Sequence, residues 1–174
     1  MLEVSFTPFP LLTTDRMMLR AINKLDAPQL LRLRSEPETM KYLDKLPLQS
    51  LAEAELLIQK VSEDITNNNG ITWAIALKEQ PSILIGTIGF WRLMKDHYRA
   101  EIGYMLLPEY CKKGLMKEAA AAVIDYGFKP MNLHSIEANI NPGNIASEAL
   151  LQGLGFIKEA YFKENFYFNS QFLD

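Results

Sequence analysis

Two lysines and a glycine, in Cys111-Lys112-Lys113-Gly114, stand between a run that reads as a strand and one that reads as a helix. The first N–H groups of a helix have no partner within it, and its aligned peptide dipoles leave that end positive. Glycine supplies the backbone freedom that a tight strand-to-helix turn needs. The spacing therefore predicts an anion site, with a phosphate group as its occupant. Taken alone, Lys112 and Lys113 also read as a solvated loop pair. Cys111 reads as an inert small side chain, its alternative being a thiol activated by the neighbouring lysines.

The flanking elements must hold this turn in place. Upstream, Glu101 opens a run in which Ile102, Tyr104 and Leu106 alternate with Gly103, Met105 and Leu107 until Pro108 ends it. Downstream, Leu115 to Phe128 is alanine-rich, with Ala119 to Ala122 unbroken, and predicts a helix. Before them, Leu11 to Ile22 predicts a first strand, and Asp26 with Pro28 predicts a capped helix to about Arg34. A short helical piece is expected around Met40 to Leu43. Ser50 with Glu53 is a capping box for a helix from Leu51 to about Ile65, which Asn67-Asn68-Asn69-Gly70 stops. Ile71 to Leu77 and Ile83 to Trp91 predict a hairpin, and Arg99 to Leu107 the next strand. Ser135 to Ile140 predicts another strand and Ile145 to about Leu154 a helix ending at Gly155; Phe156 to Phe162 and Asn165 to Phe168 look extended. The succession predicts an α/β protein with a mixed sheet.

The 174 residues suit a single domain able to bury its own core. An apolar content of 48% and a charged content of 22% are those of an ordinary soluble globular chain. One cysteine leaves no internal disulfide and argues against a cysteine-rich zinc site; His97 and His134, far apart in sequence, make a poor metal pair. A net charge of −3 argues against non-specific nucleic-acid binding. The opening residues lack a basic-then-apolar leader and no apolar run is long enough to span a bilayer, so the expectation is a cytoplasmic protein without membrane partners. Trp91, Tyr98 and the aromatic-rich end (Tyr161, Phe162, Phe166, Tyr167, Phe168) suit core and surface packing, with a substrate cleft as the alternative.

Several stretches, in order, carry a resemblance: LLTTDRMMLR, IGTIGF, AEIGYMLLPEYCKKGLMKEA and NPGNIASEALLQGLGF, followed by the aromatic-rich end. Together they resemble the GNAT N-acetyltransferase superfamily, and within it the Rim-type ribosomal-protein alanine N-acetyltransferases. The resemblance implies a mostly antiparallel sheet with a parallel, splayed pair at the cofactor site and helices on both faces. It implies that the turn holds the pyrophosphate of coenzyme A. The family pattern Gln/Arg-x-x-Gly-x-Gly/Ala falls on Cys111, Lys112, Lys113, Gly114, Leu115 and Met116. Cys111 and Met116 depart from it, and Lys112 and Lys113 partly compensate. The pantetheine arm is expected along Met105, Leu106 and Leu107, with Asn144 contacting it; as a residue alone, Asn144 reads as a helix N-cap.

Acetyl transfer to an amine needs a proton acceptor, a donor to the carbonyl oxygen and a donor to the leaving sulfur. The resemblance places Glu101 as the base, strand N–H groups near Met105 to Leu107 at the carbonyl, and Ser147 at the sulfur. The tyrosine that many members carry on the last helix is replaced here by Leu151. The plain alternatives are an exposed strand carboxylate for Glu101 and a locally bonded helix serine for Ser147. The implied activity is acetyl-CoA-dependent N-acetylation of a primary amine without a metal, the acceptor being a protein N-terminus. Alternatives are a small-molecule amine (polyamine, amino sugar or antibiotic) and a non-catalytic acyl-CoA-binding domain. Members continue past the equivalent of Asn169 to Asp174 into a final strand, expected to be absent here, which leaves an unpaired edge open to homodimerisation.

Overall fold

The computed structural model describes residues 1–174. One six-stranded sheet carries its strands in sequence order: β1 (Leu12–Thr13), β2 (Met17–Ala21), β3 (Ile71–Leu77), β4 (Gly86–Met94), β5 (Arg99–Leu106) and β6 (Ser135–Glu137). The first four pairings are antiparallel and β5 runs parallel to β6. Helices α1 (Ala27–Ser35), α2 (Pro37–Met40), α3 (Leu51–Thr66), α4 (Leu115–Phe128) and α5 (Ile145–Gln152) complete the main body. No helix is long and apolar enough to cross a membrane.

Strand alternation divides the apolar residues between two faces. Met17, Leu19, Ile71, Trp73, Ile75, Ile88, Phe90 and Ile102 meet Leu115, Ala119, Ala120 and Val123 of α4. On the other face Ala74, Leu84 and Leu107 meet Ala27, Leu30 and Leu33 of α1 and Ala54 and Ile58 of α3. Helices therefore cover both faces of a mixed sheet, as expected. The extents of β3 and α4 are those read from the sequence, because long periodic runs leave few alternatives.

Several local expectations give way. The first strand is two: the chain reverses so that β1 pairs back on β2. Asp26 does not cap α1. It is buried and accepts both Nη groups of Arg20, at 2.8 and 2.7 Å, while Asn23 caps the short turn Lys24–Asp26. A bidentate guanidinium pair is stronger than a single local cap bond. Ser50 does cap α3, but the Glu53 carboxylate accepts from Gln49 N–H instead of closing the box. The short helical piece lies earlier than expected, at α2. β4 begins and ends later than expected, since Leu84 and Ile85 are buried in the loop before it. Phe156 to Phe162 forms no strand. Asn165 to Phe168 is extended as expected: β7 (Phe166–Phe168) pairs with β8 (Gln171–Leu173), a strand not foreseen, in a separate two-stranded sheet.

Two irregularities prepare the site. In the β4–β5 ladder Phe90 pairs with Ile102 and then Arg92 with Glu101, so Trp91 is an extra, bulged residue. The β5–β6 ladder ends at Glu101↔Glu137, while β5 continues to Leu106. Beyond Glu101 the parallel pair parts and leaves one edge of β5 open.

Candidate active site

The turn after β5 has the form the sequence predicted. A 3₁₀ turn, Pro108–Tyr110, leads into it, and Lys112 and Gly114 take left-handed φ values of 59° and 74°. No side chain caps α4, so its first N–H groups are left for a ligand. Cys111, Lys112, Lys113 and Gly114 are exposed, Leu115 is buried and Met116 is half-buried against the core. Lys113 holds its ammonium 5.7 Å over the Tyr110 ring. Burial and then Glu109 push the Cys111 thiol up, against Lys112, which agrees with the inert reading.

Arg16, which sequence reasoning missed, braces this turn. Its Nη1 donates to Lys113 O at 2.9 Å, and its Nε and backbone N–H donate to Glu118 at 2.7 and 2.9 Å. Burial pushes the Glu118 carboxyl up, but hydrogen bonds from Thr14 and Arg16 prevail and hold it below its ordinary range. The acid in the first turn of α4 is thus already occupied by a cation.

The open edge of β5 sharpens the expectation for Met105 to Leu107. Leu107 N–H donates to Ile85 O at 2.9 Å, towards β4. Alternation along an antiparallel strand turns Met105 N–H the same way, and the N–H groups of Tyr104 and Leu106 to the gap. Of the three expected residues, Leu106 therefore presents the gap-facing donor, and Tyr104 adds one that was not foreseen.

Across the gap stands the start of α5. Asn144 caps it, accepting Ser147 N–H at 3.1 Å, so its plain use is realised. The Ser147 hydroxyl is not spent on local backbone. It is buried and lies 2.5 Å from the Tyr104 hydroxyl, an O–H···O bond between α5 and β5. Burial pushes the Tyr104 phenol up, opposed by that bond. Tyr104 was legible as a strand residue of the α4-facing row, but its hydroxyl partner 43 residues away was not. Leu151 is buried.

Glu101 is not the exposed strand residue of its plain reading: it is 4% exposed. It faces Arg92 on β4, Nη1 to Oε2 4.0 Å, and Glu137 on β6, which forms an ion pair with Arg99. Burial raises its carboxyl above the ordinary range and Glu137 adds to this, while Asn139 and Arg92 oppose. A carboxylate held this way is a better proton acceptor than a solvated one. Glu101 shares its face with Gly103 and Met105, opposite to the Tyr104 face.

His97 and His134, which sequence distance kept apart, line one open hollow of about 500 Å³ with Asp96, Tyr98, Asn132 and Leu133. It lies at the far end of β5 from the turn, around the residues that enter that strand.

A family model described as an acetyltransferase (GNAT) domain matches residues 16–157, from Arg16 through the turn and α5. The chain belongs to the GNAT acetyltransferase family. The uncharacterized N-acetyltransferase YoaA of Bacillus subtilis is 37% identical over 161 residues, covering 92% of this chain and 90% of YoaA. The structure of ribosomal-protein-S5-alanine acetyltransferase from Vibrio fischeri superposes with a TM-score of 0.77 at 25% identity, over 94% of this chain and 92% of that one. Spermidine N-acetyltransferase from Vibrio cholerae, in complex with CoA and spermine, superposes with a TM-score of 0.79 at 26% identity, over 91% and 90%. GNAT relatives of this chain thus include Rim-type enzymes and a polyamine enzyme, and the latter was solved holding CoA.

Proposed function

We propose that this GNAT acetyltransferase moves the acetyl group of acetyl-CoA directly to a primary amine, with a protein N-terminal α-amine as the leading acceptor. One observation carries the reading: a single strand, β5, bears Glu101, turns the Tyr104 and Leu106 N–H groups to an open gap, and ends at the uncapped start of α4. The fit to acetyl-CoA rests on those groups. The N–H groups from Lys112 to Met116 would hold the diphosphate, and the gap-facing edge of β5 would pair with the amides of the pantetheine arm.

Acetyl-CoA supplies a thioester whose acetyl group passes to the amine, forming an amide and leaving a thiol. The residues of this chain do the rest. Glu101 accepts the proton that the ammonium must lose, directly or through a water. A gap-facing β5 N–H, that of Leu106 or Tyr104, donates to the carbonyl oxygen as negative charge builds there. The Tyr104–Ser147 hydroxyl pair donates a proton or a hydrogen bond to the departing sulfur. The phenol is protonated at neutral pH, as a donor must be, and burial pushes its titration further up.

Calorimetry with acetyl-CoA, followed by thiol release across a panel of amines, tests this reading. Binding with turnover supports it. Binding without turnover on any amine favours the non-catalytic acyl-CoA-binding alternative, and no binding overturns both. Ser147→Ala and Tyr104→Phe are each expected to lower kcat about 10-fold, the double variant little more, because the hydroxyls act as one unit. Fully additive losses would separate them. A polyamine, amino sugar or antibiotic is the alternative class of acceptor, and the relationship to a spermidine enzyme is what favours keeping it.

A further inference from the structure

The α1-facing side of β5 has a roof. Trp91, the bulged residue, lays its indole on Gly103, where a Cβ would stand 3.1 Å from its Cδ1. Lys45 holds its ammonium 5.5 Å from the centre of an indole ring, that of Trp91. Arg34, in the last turn of α1, places Nη1 3.4 Å from the Met105 sulfur. Leu48 N–H donates to Arg34 O at 3.0 Å and ties the loop carrying Lys45 to the end of α1. Above Glu101, Gly103 and Met105 there is therefore an aromatic wall and two cations.

These cations lack carboxylate partners. Arg16, Arg20, Arg32, Arg92 and Arg99 each reach one, and Arg34 does not. Its Nε is shielded from solvent and has no hydrogen-bond partner, and the thioether it touches is a weak acceptor. An orphaned guanidinium N–H costs free energy that a structural arginine avoids by pairing. Partial burial, then Arg34 and Lys60, lower the Lys45 ammonium pKa, with Glu101 opposing, as expected where cations crowd together. Asp44 beside it is half-buried, pairs with neither cation, and has its carboxyl pushed up by burial.

We propose that Arg34 and Lys45 form an anion subsite of the acceptor cleft, so that the preferred acceptor is an amine carrying a carboxylate or phosphate group close to its nitrogen. The inference rests on the reading that the Glu101–Met105 row receives the amine. Glu101 and Met105, four residues apart on one face, lie about 13 Å apart along the strand. An amine held midway, over Gly103, has the Glu101 end of the row about 7 Å to one side and the Arg34 end about 7 Å to the other, within reach of an anionic group close to its nitrogen. The guanidinium fork matches planar anionic groups and the ammonium adds a point charge. A polyamine would bring further ammonium groups into the same positive field, so the subsite selects against it.

Thiol release is measured on matched acceptors: alanine against alaninamide, the amide of Ala-Asp-Gly against that of Ala-Asn-Gly, O-phosphoethanolamine against ethanolamine, and spermidine. At least one anionic member is expected to exceed its neutral isostere about 10-fold or more in kcat/KM, and to exceed spermidine. The pair that responds tells a free carboxylate from an acidic peptide side chain or a phosphate. Arg34→Gln and Lys45→Gln should each cut that ratio, chiefly by raising KM for the anionic member, while calorimetry with acetyl-CoA confirms that each variant is folded. Lys45 is exposed, so Lys45→Gln carries the test if Arg34→Gln fails to fold. Equal use of neutral amines or spermidine, or a preference that survives the variants, overturns the subsite and leaves the proposed activity standing. No thiol release from any acceptor overturns both.

Discussion

Glu101→Gln is expected to lower kcat about 10²-fold or more while acetyl-CoA affinity stays within about 2-fold, because a positioned base contributes on that scale. The replacement keeps the shape of a side chain that is 4% exposed, so packing is not the cause of the loss. The pH profile gives a second check. Burial raises the Glu101 carboxyl, so wild-type kcat/KM should fall as pH drops through a value above the ordinary glutamate range of about 4.3. The variant should lose that limb. Stability should move the other way. A carboxyl raised in the folded state contributes stability that is full below its unfolded pKa and lost as pH rises through the folded one. At pH 7 the buried carboxylate is therefore a liability, and Glu101→Gln should melt at the same or a higher temperature, the difference closing below about pH 4. Unchanged turnover would remove Glu101 from the chemistry, and a large drop in melting temperature at pH 7 would overturn the raised carboxyl.

Gly114→Val is expected to weaken acetyl-CoA binding about 10²-fold by calorimetry, with a fall of only a few degrees in melting temperature. Gly114 sits at φ 74°, where a β-branched residue is strained by about 1–2 kcal/mol. A Cβ there meets only Arg16 Nη2 at 3.5 Å, ordinary contact, so the damage is to the backbone and not to packing. As the turn relaxes away from the left-handed region, the N–H groups at the start of α4 no longer converge, and each charge-assisted bond lost is worth about 1.5–3 kcal/mol. Gly114→Asn is the control, since Asn tolerates that region and should keep most of the affinity. Equal losses in both variants, or none in either, would show that the turn does not hold the diphosphate.

What the chain disclosed in advance follows from how local each feature is. α4 was legible because Ala119 to Ala122 and the Gly114 turn are consecutive, and the uncapped helix start proposed as the anion site came with them. The burial of Glu101 was not legible. A charged residue in an alternating run reads as facing water, and the groups that gather around Glu101, namely Arg92 on β4, Glu137 on β6 and Asn139, come from separate parts of the chain. Arg16 and Glu118 meet across 102 positions, and Tyr104 and Ser147 across 43, so neither pair leaves a local pattern. Leu84 drew the predicted start of β4 forward because apolarity marks burial, not pairing, while Ile85 bonds Ile75 and Leu107 just before the strand begins. The family resemblance supplied Ser147 where spacing alone could not, and the structure gave its hydroxyl a partner.

The bulge at Trp91 makes the chain divisible at one position. Downstream pairs run Arg92↔Glu101, Leu93↔Ala100 and Met94↔Arg99, and upstream Phe90↔Ile102. A chain shorter by that one residue would close the ladder with the same partners on both sides. What it would lose is the indole over Gly103. Length variation at this point is therefore a route by which descendants of this sequence can discard or regain that indole in a single step, and with it one wall of the proposed acceptor cleft, while the rest of the sheet is inherited intact.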